Sequence, residues 1–388
     1  MWKTAKLGDI VTYEKVNGQG SNLPYVGMEH ISSETMELVG SLEIPEKTSS
    51  TFKFDERHVL FGRLRPYLKK VFVPGFDGQC STEIFCILPS DKVDKRFLAH
   101  WLLHPKVSTR INETSTGARM PRANMNAILD FDIPLPPLAE QQRIVAKLDA
   151  AFAEIDTAIE IVEETTLQSV QVYQNELSKS FKNIDECEPR RTLADVAKVF
   201  GRGKSKHRPR NDERLYGDKI PFIQTGHISN AKMYVDSFDK GYSEFGISQS
   251  KIWDKGTVCI TIAANIAELA ILDMDACFPD SVIGVYPDKE ITSSEYIFYL
   301  LSFFQIYIKS KSKGSAQQNI NLATFESETF PFPSNLAKQN QIVDRLKKLQ
   351  EELGLYQSLQ SEKLHEMHNL KSAILAQELT PPSESEAA

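Results

Sequence analysis

The chain has 388 residues, of which 41% are hydrophobic and 25% charged, and a net charge of −7 at pH 7; this is too much for one ordinary core, so two domains are expected. Five scattered cysteines (Cys80, Cys86, Cys187, Cys259 and Cys277) never form C-x-x-C, which argues against a disulfide framework or a zinc site and fits a reducing cytoplasm. No apolar run approaches the roughly 20 residues of a membrane span, and MWKTAKLGDI lacks the apolar block of a signal peptide, so a soluble cytoplasmic protein without membrane contact is expected.

The chain repeats itself. PYVGMEHIS at Pro24 to Ser32 returns as PFIQTGHIS at Pro221 to Ser229, a shift of about 197 residues, or half the chain. TGARMPRANMN (Thr116 to Asn126) has its counterpart in KGSAQQNINLA (Lys313 to Ala323). LAEQQRIVAKL from Leu138 recurs as LAKQNQIVDRL from Leu336, and both follow a Pro-x-Pro, at Pro134/Pro136 and Pro331/Pro333. Four landmarks in one order mark a tandem duplication.

Periodicity splits each copy in two. Runs such as HVLF, KKVFV and TEIFCIL, and later TVCITIA, LAILD and SVIGVY, are rich in β-branched residues and punctuated by Gly, Pro and Asp, which predicts strands of a mixed α/β (α+β) domain. After each Pro-x-Pro the spacing becomes helical: Val145, Leu148, Phe152, Ile155, Ile159 and Val162 in the first copy, and Ile342, Leu346, Leu349, Leu353, Tyr356, Met367, Leu370 and Ile374 in the second. These seams predict two long antiparallel coiled-coil helices whose role is mechanical. The expected order is a globular domain at 1–135, a spacer helix at 136–182, a second globular domain at 183–333, a second helix at 334–379 and a disordered tail at 380–388, with approximate pseudo-twofold symmetry. Gly354 is a helix defect worth about 1 kcal/mol against Ala.

Positive charge is concentrated locally. Residues 136–182 hold 4 Lys and Arg against 8 Asp and Glu, while 1–135 hold 17 against 16 and 183–335 hold 18 against 20, so the globular parts are near neutral and can carry basic patches. The first copy gathers Arg63, Arg65, Lys69 and Lys70 in GRLRPYLKK; the second gathers Arg202, Lys204, Lys206, Arg208 and Arg210 in GRGKSKHRPR. A solvated loop is the ordinary reading of such a run. Its recurrence in both copies favours two contacts to one polyanion, with Lys and Arg displacing counterions. Arg119 and Arg122 in the first copy, and Gln318 and Asn319 in the second, are side chains able to meet base edges.

Catalytic readings fail on the residues. A phosphate loop needs a glycine where Lys198 stands, base methylation needs a glycine motif and an Asn-Pro-Pro-aromatic site, and neither is present. His365 and His368 lack a third metal ligand. His30 and His227 occupy equivalent places and are read as structural groups at a strand end. No catalytic or metal residue is assigned, and no cofactor is expected on this chain. A stand-alone DNA-acting enzyme of unrecognised chemistry and a coiled-coil protein scaffold stand as alternatives.

The segments IPLPPLAEQQRIVAKLD, PFPSNLAKQNQIVDRL, FGRLRPYLKKV and GRGKSKHRPR…PFIQTGHIS resemble the specificity subunit of type I restriction-modification systems, the HsdS family, over nearly the whole chain. The resemblance implies two target-recognition domains, each reading half of a split double-stranded DNA sequence, with antiparallel helices setting the gap. It implies a non-catalytic subunit that docks two copies of an adenine-N6 methyltransferase subunit carrying S-adenosylmethionine, joined by a translocase and endonuclease subunit using ATP and Mg. A rigid duplicated spacer is also what reading two DNA segments at fixed separation requires. The first domain has no counterpart of GRGKSKHRPR at the matching place, so backbone contacts do not transfer between the copies.

Overall fold

The computed structural model describes residues 2–44, 50–263, 266–312 and 322–381. The chain divides into two compact units: Met1–Glu164 with Gln360–Ala388, and Thr165–Leu359. Both are mixed α+β, and each contains a stretch of both long helices.

Unit 1 begins with strands β1 (Lys3–Lys6), β2 (Val11–Glu14), β3 (Tyr25–Val26), β4 (Thr51–Phe54), β5 (Val59–Gly62), β6 (Val71–Phe72), β7 (Gly78–Ser81) and β8 (Ile84–Pro89). Helices α1 (Lys95–Leu103), α2 (Pro105–Glu113) and α3 (Met125–Leu129), strand β9 (Asp132–Leu135) and the 50-residue α4 (Leu138–Cys187) follow. The central sheet has the order β2-β8-β5-β6, with antiparallel register Val59↔Ile87 and Phe61↔Phe85. The apolar runs HVLF and TEIFCIL arise because this sheet is covered on both faces. Val59, Phe61, Phe85 and Ile87 enter the core shared with α1 and α4, while Leu60, Ile84 and Cys86 enter a second core with Val26, Ile31 and Phe54. The two-residue side-chain period of a strand assigns neighbours to opposite cores. Helix α1 starts where the Asp94 carboxylate accepts from the Arg96 and Phe97 amides.

Unit 2 contains β10 (Arg190–Thr192), β11 (Ala197–Arg202), β12 (Tyr216–Gly217), β13 (Ile220–Pro221), α5 (Thr225–Asn230), β14 (Tyr234–Val235), β15 (Gly241–Tyr242), α6 (Glu244–Ser248), β16 (Ile252–Trp253) and β17 (Val258–Thr261). It continues with β18 (Leu269–Leu272), β19 (Ala276–Cys277), β20 (Val282–Pro287), α7 (Ser294–Ser312), α8 (Leu322–Ser327), β21 (Thr329–Pro331) and α9 (Leu336–Glu378). Its main sheet, β11-β20-β17-β18-β14, repeats the order of unit 1 with one strand added. The same alternation holds: Val258, Ile260, Ile283 and Val285 face the core shared with α7 and the long helices, and Cys259 and Val282 face the other. A two-stranded ribbon closes each unit before its long helix, β1 on β9 and β10 on β21.

Each unit pairs the start of one long helix with the end of the other. In unit 1, Ile144, Val145 and Leu148 of α4 share a core with Leu375 and Leu379, and Lys147 and Asp156 reach Glu378 at 2.7 Å and Lys371 at 2.5 Å. In unit 2, Leu177 and Phe181 of α4 share a core with Val343 and Leu346 of α9, and Glu176 meets Arg345 at 2.7 Å. Rising numbers on one helix meet falling numbers on the other, so the pairing in unit 1 is antiparallel. The predicted seam departs at Leu370, which is 50% exposed; Leu375 and Leu379 fill the buried positions of that end instead. The expected tail from Thr380 lies outside the described residues beyond position 381.

Candidate nucleic-acid interface

In unit 1 the two basic segments singled out in the sequence lie side by side. The Arg63 amide donates to the Glu83 carbonyl (2.9 Å), the Ala123 amide to the Arg63 carbonyl (2.9 Å) and the Arg65 amide to the Pro121 carbonyl (2.7 Å). Thr116 and Arg122 exchange backbone hydrogen bonds across a loop that turns at Gly117, whose φ is +96°. The segment holding Arg119 and Arg122 is thereby stitched along the one holding Arg63 and Arg65.

The cations do not all point the same way. Glu83 accepts from Arg122 Nε at 3.0 Å and its terminal nitrogen at 2.8 Å, and Arg63, 3.9 Å from the same carboxylate, lies over the Phe85 ring. Lys69 is paired with Glu34 at 2.9 Å and Lys70 Nζ donates to the Met28 carbonyl at 2.6 Å. Arg65 and Arg119 are exposed, and no side-chain partner for either is found among the described residues. A hollow of 310 Å³ is bordered by Arg63, Arg122, Asn124, Asn126, Tyr13 and Lys15. Lys15, exposed with its ammonium 4.8 Å above the Tyr13 ring, was not indicated by the sequence because it stands outside any charge run.

In unit 2 the run GRGKSKHRPR is held to the domain as it leaves β11. Gly203 donates to the Val282 carbonyl at 2.8 Å, and a side chain there would place its Cβ 2.3 Å from the Pro279 carbonyl oxygen, so only glycine permits this approach. The Lys204 amide reaches the Phe278 carbonyl and the Lys206 amide the Gln249 carbonyl, both at 3.1 Å. Arg202 donates to the Asp280 carbonyl at 2.8 Å, Arg210 pairs with the Asp280 carboxylate at 2.9 Å, and Arg208 donates to the carbonyls of Ser205 and His207. Asp212 accepts from the Arg214 guanidinium, from the Arg214 amide and from His207, and these bonds hold its carboxyl well below the ordinary range. Lys204 and Lys206 extend from this braced loop exposed, with no side-chain partner among the described residues. Lys251, absent from the sequence expectation, lies near Lys204; burial first and that neighbouring charge second lower its pKa. Gln318 and Asn319 lie outside the described residues.

His30 and His227 act alike. The Nδ1 of each accepts from the backbone amide three residues earlier, Gly27 at 3.1 Å and Gln224 at 3.0 Å, closing the first turn of a short helix. Among the described residues no group of His, Cys, Asp and Glu could hold a metal ion, and no helix is long and apolar enough to cross a membrane.

A family model described as the type I restriction modification DNA specificity domain matches residues 1–164 and 186–362. The EcoDI type I restriction enzyme specificity subunit of Escherichia coli is 28% identical over 179 residues, 46% of this chain and 40% of that protein, so this match spans less than half of the relative. The EcoBI specificity subunit of Escherichia coli is 23% identical over 78% of this chain and 72% of its own length. Two solved structures share the fold: a chain from a study of complex assembly and conformational transition of the type I R-M system (TM-score 0.81, 22% identity, 97% of each chain), and the HsdS subunit from Thermoanaerobacter tengcongensis (TM-score 0.56, 21% identity, 97% and 96%).

Proposed function

The chain belongs to the type I restriction-modification DNA specificity family, whose members are non-catalytic recognition subunits, and from that premise we propose that its two units read the two halves of a split, asymmetric duplex target. The observation that carries this is the repetition: two units of one sheet order, each presenting exposed cations with no side-chain partner among the described residues, Arg65 and Arg119 in one and Lys204 and Lys206 in the other. Cations without internal partners are free to replace condensed counterions on phosphates. Arg63, Lys69, Lys70, Arg122, Arg202, Arg208 and Arg210 lie in the same basic segments. Their internal bonds make them braces of the loops first and DNA contacts second. Asn124 and Asn126, at the hollow in unit 1, can make paired hydrogen bonds to a base edge.

In this reading the chain works in the cytoplasm and brings two copies of an adenine-N6 methyltransferase subunit, with S-adenosylmethionine, to the target. A translocase and endonuclease subunit using ATP and Mg joins them for cleavage. Neither a stand-alone enzyme nor a protein scaffold is favoured by the family. The test is co-expression with the partner methyltransferase followed by genome-wide mapping of N6-methyladenine. A two-part motif with an unread gap is expected; methylation at one continuous motif, or none that depends on this chain, overturns the reading.

A further inference from the structure

Within its two cationic segments, unit 1 exposes large apolar side chains where a solvated loop has no use for them. Tyr67 is 50% exposed and Met120 45% exposed. Single exposed apolar residues are ordinary, but these lie on two segments that are tied to each other: the Arg65 amide to Pro121 carbonyl bond joins the backbone two residues before Tyr67 to that one residue after Met120. Each sits close to an exposed arginine, Arg65 or Arg119.

The turn that carries Tyr67 is also strained. Arg65 (φ 50°) and Lys69 (φ 47°) are both left-handed non-glycine residues, and they bracket the short helical turn Pro66–Leu68. Side chains with a Cβ disfavour that region. Strain of this kind persists where surrounding structure holds it, and here Pro66 is buried, Lys69 is tied to Glu34 and Lys70 to the Met28 carbonyl. The basic residues at the end of GRLRPYLKK therefore anchor a rigid projection whose free parts are one guanidinium and one phenol ring.

We propose that Tyr67 and Met120 are specificity-determining residues of unit 1, making apolar contact with bases while Arg65 and Arg119 hold the flanking phosphates. This rests on the DNA-reading function proposed above. Two base surfaces offer the required chemistry, the methyl group of thymine in an intact duplex and the face of a base at an opened step.

The test uses the full chain with its partner methyltransferase and the target found by methylation mapping. The double variant Tyr67→Ser/Met120→Ser should weaken the specific complex about 10-fold and relax the motif in one half only. The slope of log K against log salt should stay unchanged, because no phosphate contact is lost. Tyr67→Phe should remain within about 2-fold of the parent. Replacing thymine by deoxyuracil in that half weakens the parent if methyl groups are read; a rise in fluorescence of 2-aminopurine placed there marks an opened step. Neither signal, or a double variant with parental affinity and motif, overturns the inference alone. A parent chain that binds no specific DNA removes the functional reading as well.

Discussion

Gln141 and Gln339 stand at matching places in the two copies, and each makes three hydrogen bonds in full burial, two of them donated to backbone carbonyls. Gln141 Oε1 accepts from the Asp94 amide (2.8 Å), and its Nε2 donates to the carbonyls of Lys92 (3.0 Å) and Pro136 (2.8 Å). Gln339 Oε1 accepts from the Thr292 hydroxyl (2.8 Å), and its Nε2 donates to the carbonyls of Ile291 (2.9 Å) and Pro333 (2.8 Å). In both units one amide ties the first turn of a long helix to the loop before α1 or α7 and to the Pro-x-Pro.

Gln141→Leu and Gln339→Leu should each destabilise their own unit. The shape is kept, but an amide or hydroxyl donor and two carbonyls lose their partners inside a buried junction, at about 1–3 kcal/mol for each group left unsatisfied. Chemical denaturation of the purified chain followed by hydrogen exchange would localise the loss. Peptides of 86–148 should lose protection in the first variant and those of 286–346 in the second. Unchanged protection would show that the amides are incidental.

Gly354→Ala should stabilise unit 2 by about 1 kcal/mol. A Cβ at this position would meet nothing within 4 Å, and the residue lies inside α9. Alanine therefore gains helix propensity with no steric cost, partly through a less flexible unfolded chain. A higher denaturation midpoint with an unchanged slope is the expected result, and a lower midpoint would mean that the glycine is required for local bending.

The duplication, the strand runs and the long helices were legible because each rests on local spacing: periods of two and of three to four residues survive without knowledge of the partner. Gln141 was visible as half of a repeated pair. Its role was not, since a glutamine on a helix reads as a solvated side chain until the carbonyls of Lys92 and Pro136 are placed around it. The basic segments were found, but their division of labour was hidden. Lys69 and Arg65 look equivalent in GRLRPYLKK, and only the pairing with Glu34, far back in the sequence, separates a brace from a free charge. The meeting of residues 63–65 with 121–123 is a tertiary pairing that no local pattern encodes.

The same division predicts unequal salt effects. Lys204→Gln with Lys206→Gln should lower the slope of log K against log salt by about 2, since each lysine freed of internal partners neutralises one phosphate. The loss should be similar on all sequences. Arg210→Gln should change the slope less, because its guanidinium is already shared with Asp280. Filter binding or anisotropy titrations between low and moderate salt would measure both, and an effect confined to one sequence would mark the lysines as base readers.

Acid should weaken unit 1 in two stages. Burial first and the Lys106 charge second hold the pKa of His104 below its ordinary value near 6.5, so the folded state binds this proton less readily than the unfolded chain. Stability is then full above about pH 6.5 and declines as pH falls through the depressed folded value. Asp149 adds a second limb. Burial raises its pKa, but the bonds from His100 and Arg96 outweigh that and bring it to about 2, so its contribution is present above about pH 4 and is lost toward pH 2. His104→Asn keeps an acceptor for the Lys106 amide, which the imidazole Nδ1 now serves at 3.2 Å, and removes the titrating ring. Melting temperatures measured from pH 8 to 3 should show the upper limb flattened in this variant and the lower limb intact. An upper limb that persists would assign it to another group.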